Sequence, residues 1–191
     1  IELFGDEIEK LEMLNPINGQ SIGKLDKIFI YPAVHHVMPE DRVAAATASI
    51  LEELDQRVKE FRRLGKLLEA QRLLARTKYD VEMLREVGYC SGIENYTRHL
   101  NGLPPGTKPY TLVDYFPKDF ILVVDESHVT LPQIRAMFHG DRNRKQTLVE
   151  HGFRLPSCLD NRPMRFEEFQ GMGDQVLFVS ATPGPVELEM C

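Results

Sequence analysis

The spacing of apolar residues changes character twice along the chain. From Ile1 to about residue 32, apolar points (Ile1, Leu3, Phe4, Ile8, Leu11, Leu14) stand in a polar background. Asn15-Pro-Ile-Asn-Gly19 is a strong turn signal, with Asn18-Gly19 suited to positive φ. Lys27-Ile-Phe-Ile-Tyr31, stopped by Pro32, reads as a further strand. This stretch predicts a small β-rich segment that is too short to bury a core of its own. Beyond Pro39 the period becomes helical. Val43, Thr47, Ile50, Leu54, Val58 and Phe61 recur at three- and four-residue steps and make one apolar face. Gly65 marks a break. Leu67, Leu74, Val81 and Leu84 continue the pattern in a second helix, which Gly88 ends. A short turn and helix over 89–100 and a Pro/Gly-rich loop over 101–109 follow.

In the last third the pattern changes again. Phe120-Ile-Leu-Val-Val124 and Gln175-Val-Leu-Phe-Val179 are short apolar runs without alternation. Such runs predict strands buried on both faces, as in a parallel sheet. The chain therefore divides into a β-rich segment (1–38), a helical domain (39–109) and an α/β domain (110–191). Arg165-Phe-Glu-Glu-Phe169 between the two runs predicts a short amphipathic helix with both Phe residues in the core.

Composition narrows the function classes. The chain has 191 residues, 42% apolar and 27% charged, which permits a packed core and argues against global disorder. A net charge of −6 argues against nucleic-acid binding by bulk charge, so any DNA contact needs a local patch. Cys90, Cys158 and Cys191 lack CxxC spacing, which fits a reducing cytosol and argues against a disulfide framework or a zinc site. His35-His36 is a poor chelate, because neighbours in an extended chain point to opposite sides. No apolar run is long enough to span a bilayer.

The candidate chemistry sits where the two apolar runs end. Ligands of open α/β sheets bind outside the carboxyl ends of the strands. Asp125 and Glu126 stand at one such end, and Ser180-Ala-Thr182 at the other. An Asp there suits a Mg²⁺ that bridges phosphates, and a neighbouring Glu suits the attacking water. The alternative for each is a strand end meeting solvent. The densest basic segment follows: Arg135, His139, Arg142, Arg144 and Lys145 face only Asp141 over eleven residues. It reads equally as a phosphate-contact patch or a solvated helix face.

Asp125-Glu-Ser-His128, with Ser-Ala-Thr about fifty residues later, resembles motifs II and III of a superfamily 2 helicase core, and so implies part of a RecA-like P-loop NTPase sheet with a helical insertion. Gly140-Asp-Arg-Asn-Arg-Lys-Gln-Thr-Leu-Val-Glu150, Gly152-Phe-Arg-Leu-Pro-Ser157 and Leu159-Asp-Asn-Arg-Pro163 narrow the resemblance to the UvrB family of bacterial nucleotide excision repair. Gly88-Tyr-Cys-Ser-Gly-Ile-Glu-Asn-Tyr96 and Glu2-Leu-Phe-Gly-Asp-Glu-Ile-Glu9 agree with it, and the likeness covers essentially the whole chain. It implies an ATPase that separates strands at damaged DNA in the cytoplasm, is loaded by UvrA and recruits UvrC. Asp125 would hold Mg²⁺ together with ATP, Glu126 would activate water, and His128, Ser180 and Thr182 would couple hydrolysis to movement. Glu94, Tyr96, Arg142, Arg144, Lys145 and Arg154 are the candidates for contact with DNA or with a DNA-clamping β-hairpin. Arg162 flanks the same loop as Arg154. Residues 1–38 would belong to the domain that docks onto UvrA, with Glu2 as the candidate contact.

The chain starts at Ile1, and no GxxxxGK[ST] loop occurs in it. The resemblance implies an internal piece, with the phosphate-binding loop upstream and a second motor domain downstream. Half an active site is expected, with no ATP or Mg²⁺ held tightly by this chain. Two alternatives stay open: a protein-interaction module that binds UvrA, and another superfamily 2 motor such as a transcription-repair coupling factor.

Overall fold

A computed structural model describes residues 1–30, 39–173 and 175–190, with backbone alone at Glu40 and Met190. The chain separates into two compact units, 1–34 and 35–191.

The first unit is two antiparallel hairpins. Strands β1 (Glu2–Phe4) and β2 (Glu7–Lys10) pair around a tight turn at Gly5-Asp6. Strands β3 (Glu12–Leu14) and β4 (Ser21–Lys24) pair around the Asn15–Gly19 turn. In that turn the Asn15 carbonyl accepts from the Gly19 N–H at 2.8 Å, and the Asn15 carboxamide oxygen accepts from the Ile17 N–H at 2.9 Å. None of residues 1–30 is buried, as expected of ribbons without a second layer. Lys27–Ile30 joins no strand, contrary to the pattern, because no ladder partner lies beside it among the described residues. Tyr31 and the His35-His36 pair lie outside the described residues.

The second unit is built on a helical hairpin, α1 (Glu40–Arg63) and α2 (Leu67–Val87). The predicted α1 face holds: Thr47, Ile50, Leu54, Val58 and Phe61 are buried, with Val43 half-buried. On α2 the buried stripe is Ala70, Leu73, Thr77, Asp80, Val81 and Leu84. Leu67 is exposed, unlike the pattern's expectation, because it sits at the hairpin tip beyond the packed region. The N–H of Gly88, left-handed at φ 73°, bonds the Leu84 carbonyl and stops α2. A 3₁₀ turn (Ile93–Tyr96) and α3 (Thr97–Leu100) close over the hairpin and bury Cys90, Ile93, Tyr96 and Leu100 against it.

The rest of the unit is mixed α/β. Strands β5 (Ile121–Asp125) and β6 (Gln175–Val179) run parallel, with Asp125 opposite Val179. Between them come α4 (Ser127–Glu150), a 3₁₀ turn (Pro156–Leu159) and α5 (Phe166–Gln170); α6 (Pro185–Met190) follows β6. Val124, Leu131 and Phe166 form a small core with Leu122, Ile134, Phe169, Phe178 and Val186 against it. The apolar runs are not buried on both faces, as their continuity predicts. Helices cover one face, while Ile121, Val123 and Leu177 remain more than half exposed. Among the described residues the parallel sheet has these two strands only.

An ionic network joins the hairpin to the 156–160 turn. Glu53 accepts from the Ser157 N–H at 2.8 Å, from His99 at 2.7 Å and from Arg98 at 3.2 Å. Arg98 also donates to Asp160 at 2.9 Å. Burial pushes the Glu53 carboxyl up, but the bonds from His99 and Ser157 and the Arg98 charge outweigh it and hold it below the usual range. These groups satisfy one another, so the network is structural.

Candidate functional site at the strand ends

The carboxyl ends of β5 and β6 lie side by side because the strands are parallel and in register. Past Asp125 the chain turns through Glu126 (φ 45°, ψ 49°), the one described non-glycine residue at positive φ. A left-handed residue at a strand-to-helix junction is a strained conformation of the kind found at functional sites. The turn is stabilised locally. The Asp125 carboxylate accepts from the Glu126 N–H at 2.9 Å, and the Thr130 hydroxyl donates to the Asp125 carbonyl at 2.9 Å. The two acids stay open to solvent, while Ser127 behind them is fully buried.

The hydroxyl-bearing segment meets this turn. Ser180 Oγ lies 2.9 Å from His128 Nδ1 and also accepts from the Thr182 N–H at 3.1 Å. The Glu126 carboxylate is 3.4 Å from the same His128 nitrogen. His128 thus stands between the acid turn and the Ser-Ala-Thr segment. Thr182 is exposed beside them. The sequence reading missed a further member, Glu187 on α6. It is buried, takes the Ser127 hydroxyl at 2.9 Å and takes the Gly184 N–H at 3.0 Å. Its place three residues after Gly184 lets the carboxylate reach back to that N–H, which is half of a capping box, since Gly184 has no side chain to complete it.

The donor set fits the metal-and-water side of a nucleotide site. The solvent-exposed Asp125 carboxylate would hold Mg²⁺ and Glu126 adjoins it, and Mg²⁺ in such sites leans on substrate phosphates for its remaining ligands. No loop of GxxxxGK[ST] form is present to cradle those phosphates. No cluster of three or more His, Cys, Asp or Glu side chains suited to holding a metal by itself occurs among the described residues.

The proposed DNA-contact residues fall into two groups. Glu94, Arg144 and Arg154 line one cleft of about 420 Å³ with Asn95, Asn161 and Arg162. Glu94 and Arg144 are exposed and Arg154 half-exposed; Arg144 pairs with Asp141 at 3.0 Å, and Arg142 is exposed on the neighbouring helix surface. Tyr96 and Lys145 depart from expectation. Tyr96 is buried and donates to Asp80 at 2.8 Å, so its ring is not free to stack on a base. Lys145 is buried, paired with Asp141 at 2.8 Å and bonded to the Asn161 carbonyl, so it fastens α4 to the following loop. Arg162 likewise grips Glu168 through two bonds of 2.7 and 2.8 Å. Glu2 is exposed on β1. Burial pushes the Cys90 thiol up to about 12 and the Cys158 thiol up to about 11, which leaves both protonated and unreactive. No described helix is long and apolar enough to cross a membrane.

Comparison with known proteins gives the chain's family. A family model described as the UvrB interaction domain matches residues 1–36, and one described as the UvrB third helical domain matches residues 41–102. The UvrABC system protein B of Caldicellulosiruptor bescii is 60% identical over 189 residues, and those of Geobacillus kaustophilus and Bacillus caldotenax are each 58% identical over 189 residues. In each case the match covers 99% of this chain and 29% of the relative, so the chain spans less than a third of those proteins. Two adjacent UvrB domain matches, with high identity along the whole chain, show that this chain belongs to the UvrB family.

Proposed function

We propose that this chain carries the metal-and-water half of the ATPase site of a DNA-repair motor. The observation that carries the reading is the juxtaposition of Asp125-Glu126 with Ser180-Ala-Thr182 at two adjacent parallel strand ends, joined by the 2.9 Å His128–Ser180 bond. Asp125 would hold Mg²⁺, and Glu126 would orient the attacking water and take its proton. His128 and Ser180 carry the change at the acid turn to the neighbouring strand. Mg²⁺ bound with ATP neutralises charge on the phosphates. The β5–β6 pair is the part of a RecA-like sheet that bears these groups. The cleft holding Glu94, Arg144 and Arg154 takes a DNA strand or the hairpin that clamps it, on damaged DNA.

The test is Asp125→Ala made in this segment of a full-length UvrABC system protein B. Loss of DNA-dependent ATP hydrolysis with retained folding supports the reading, and retained hydrolysis overturns it.

A second reading rests on a separate observation. Residues 1–36 match an interaction domain, and their unit leaves Leu3, Phe4 and Ile8 exposed among Glu2, Asp6, Glu7 and Glu9. Apolar side chains rimmed by acids suit a basic, partly apolar partner surface. We assign UvrA to it, with UvrC recruited later by the whole protein. Removal of residues 1–32 is expected to abolish capture of purified UvrA, and surviving capture overturns this assignment.

A further inference from the structure

Two hydrogen-bonded links, not one, run from the acid turn to the segment after β6. The first is His128–Ser180. The second lies deeper, where Ser127 (0% exposed) donates to one oxygen of Glu187 (4% exposed). The other Glu187 oxygen accepts from the Gly184 N–H at 3.0 Å. A carboxylate in the first turn of α6 would account for that second bond as an ordinary cap. It does not account for the first, which reaches sixty residues back to the residue that follows Glu126.

We propose that Glu187 is a positioning residue, which through Ser127 fixes the turn bearing Asp125, Glu126 and His128 against the segment bearing Ser180 and Thr182. The chemistry favours this role. Ser127 and Glu187 are removed from water, so losing the bond between them leaves a buried hydroxyl and a buried carboxylate oxygen short of a partner, at a high cost. Glu126 sits in a strained left-handed conformation, and the local bonds of Asp125 tie the turn to its own helix and not to the segment after β6, so the link between the two needs a separate anchor. Asp125 and Glu126 are exposed, so apolar packing does not hold them. The buried Ser127–Glu187 bond therefore keeps His128 within reach of Ser180, and with it the alignment that the ATPase reading requires. The functional meaning rests on that reading, but the geometry is tested without nucleotide.

The experiment is nitrogen NMR of the six histidine rings of the 191-residue chain, together with amide exchange at Thr182, whose N–H donates to Ser180. Ser127→Ala removes the long-range bond and leaves the α6 cap. It is expected to move the His128 ring resonances toward those of freely exposed histidines. It is also expected to speed Thr182 exchange about fivefold, the effect of one lost hydrogen bond. Glu187→Ala gives the same changes, and either variant serves if the other does not fold. Glu187→Gln keeps an acceptor for Gly184 and an amide for Ser127, and restores the native signals. Native His128 resonances and native Thr182 exchange in a folded Ser127→Ala or Glu187→Ala variant overturn the proposal. So does a failure of Glu187→Gln to restore them. Such a result leaves the ATPase reading standing, and loss of that reading in the Asp125→Ala assay leaves this geometry standing.

Discussion

Gly152 gives the sharpest test of how the two helical parts of the second unit are joined. It follows α4 at φ 70°, and a Cβ built on it would lie 2.4 Å from the Glu69 carbonyl oxygen and 2.8 Å from the Glu69 Cα. These are backbone atoms of α2 and cannot swing aside. Gly152→Ala therefore adds two costs. The left-handed conformation costs an alanine about 1–2 kcal/mol. Forcing the two backbones apart costs about 1–3 kcal/mol more, as overpacking does. The sum is about 2–5 kcal/mol, a large part of a domain's stability. Gly88 supplies the control. It has φ 73° and no atom within 4 Å of its built Cβ, so Gly88→Ala has only the conformational cost. Urea unfolding of the 191-residue chain, followed by far-ultraviolet circular dichroism, compares the two. Gly152→Ala is expected to be the more destabilised by about 1–3 kcal/mol. Equal effects of the two substitutions would refute the close approach of residue 152 to α2.

Three further outcomes follow from the packing and the charges. Leu73→Ala empties a fully buried position between α1 and α2, and is expected to cost about 2–5 kcal/mol in the same urea assay. Tyr96→Phe leaves the buried Asp80 carboxylate short of one donor and is expected to cost about 1–3 kcal/mol, while affinity for single-stranded DNA, read by fluorescence anisotropy, stays unchanged. Glu168 is held down to about 2, first by its bonds to Arg162, against an ordinary value of 4.5. A depressed carboxyl stabilises the fold above its unfolded value and loses that contribution as pH falls toward the folded one. Stability should therefore fall between about pH 4.5 and 2, and acid titration of Glu168→Gln should show a shallower fall than the parent chain.

The sequence disclosed what repeats and hid what does not. The α1 face was legible because Thr47 to Phe61 recur at helical spacing, and the parallel strands because their runs are apolar and end in polar turns. The α2 stripe was read less well, since Asp80 lies in it and hydropathy counts a buried acid as surface. Asp80 is buried because Tyr96 and Arg76 both donate to it, and those partners are distant or polar in sequence. Glu53 was hidden for the same reason, and Glu187 showed only half of a capping box, because Gly184 offers no side chain. Lys145 shows the converse. Its charge placed it in a segment that read equally as a phosphate-contact patch or a solvated face, but Asp141 one helical turn back and the Asn161 carbonyl hold it inside. At the candidate site, Asp125, Glu126, His128, Ser180 and Thr182 are legible in the sequence as a pair of motifs. Their physical juxtaposition needed the strand register, which no local pattern contains.

The central claim is that Asp125 and Glu126 belong to a nucleotide site whose phosphate cradle is not made by these 191 residues. The direct measurement is a titration of a fluorescent ATP analogue, with Mg²⁺, into the chain. The account predicts no saturable binding. Tight, Mg²⁺-dependent binding that Asp125→Ala abolishes would mean that the phosphates are held without a GxxxxGK[ST] loop, and would contradict the claim.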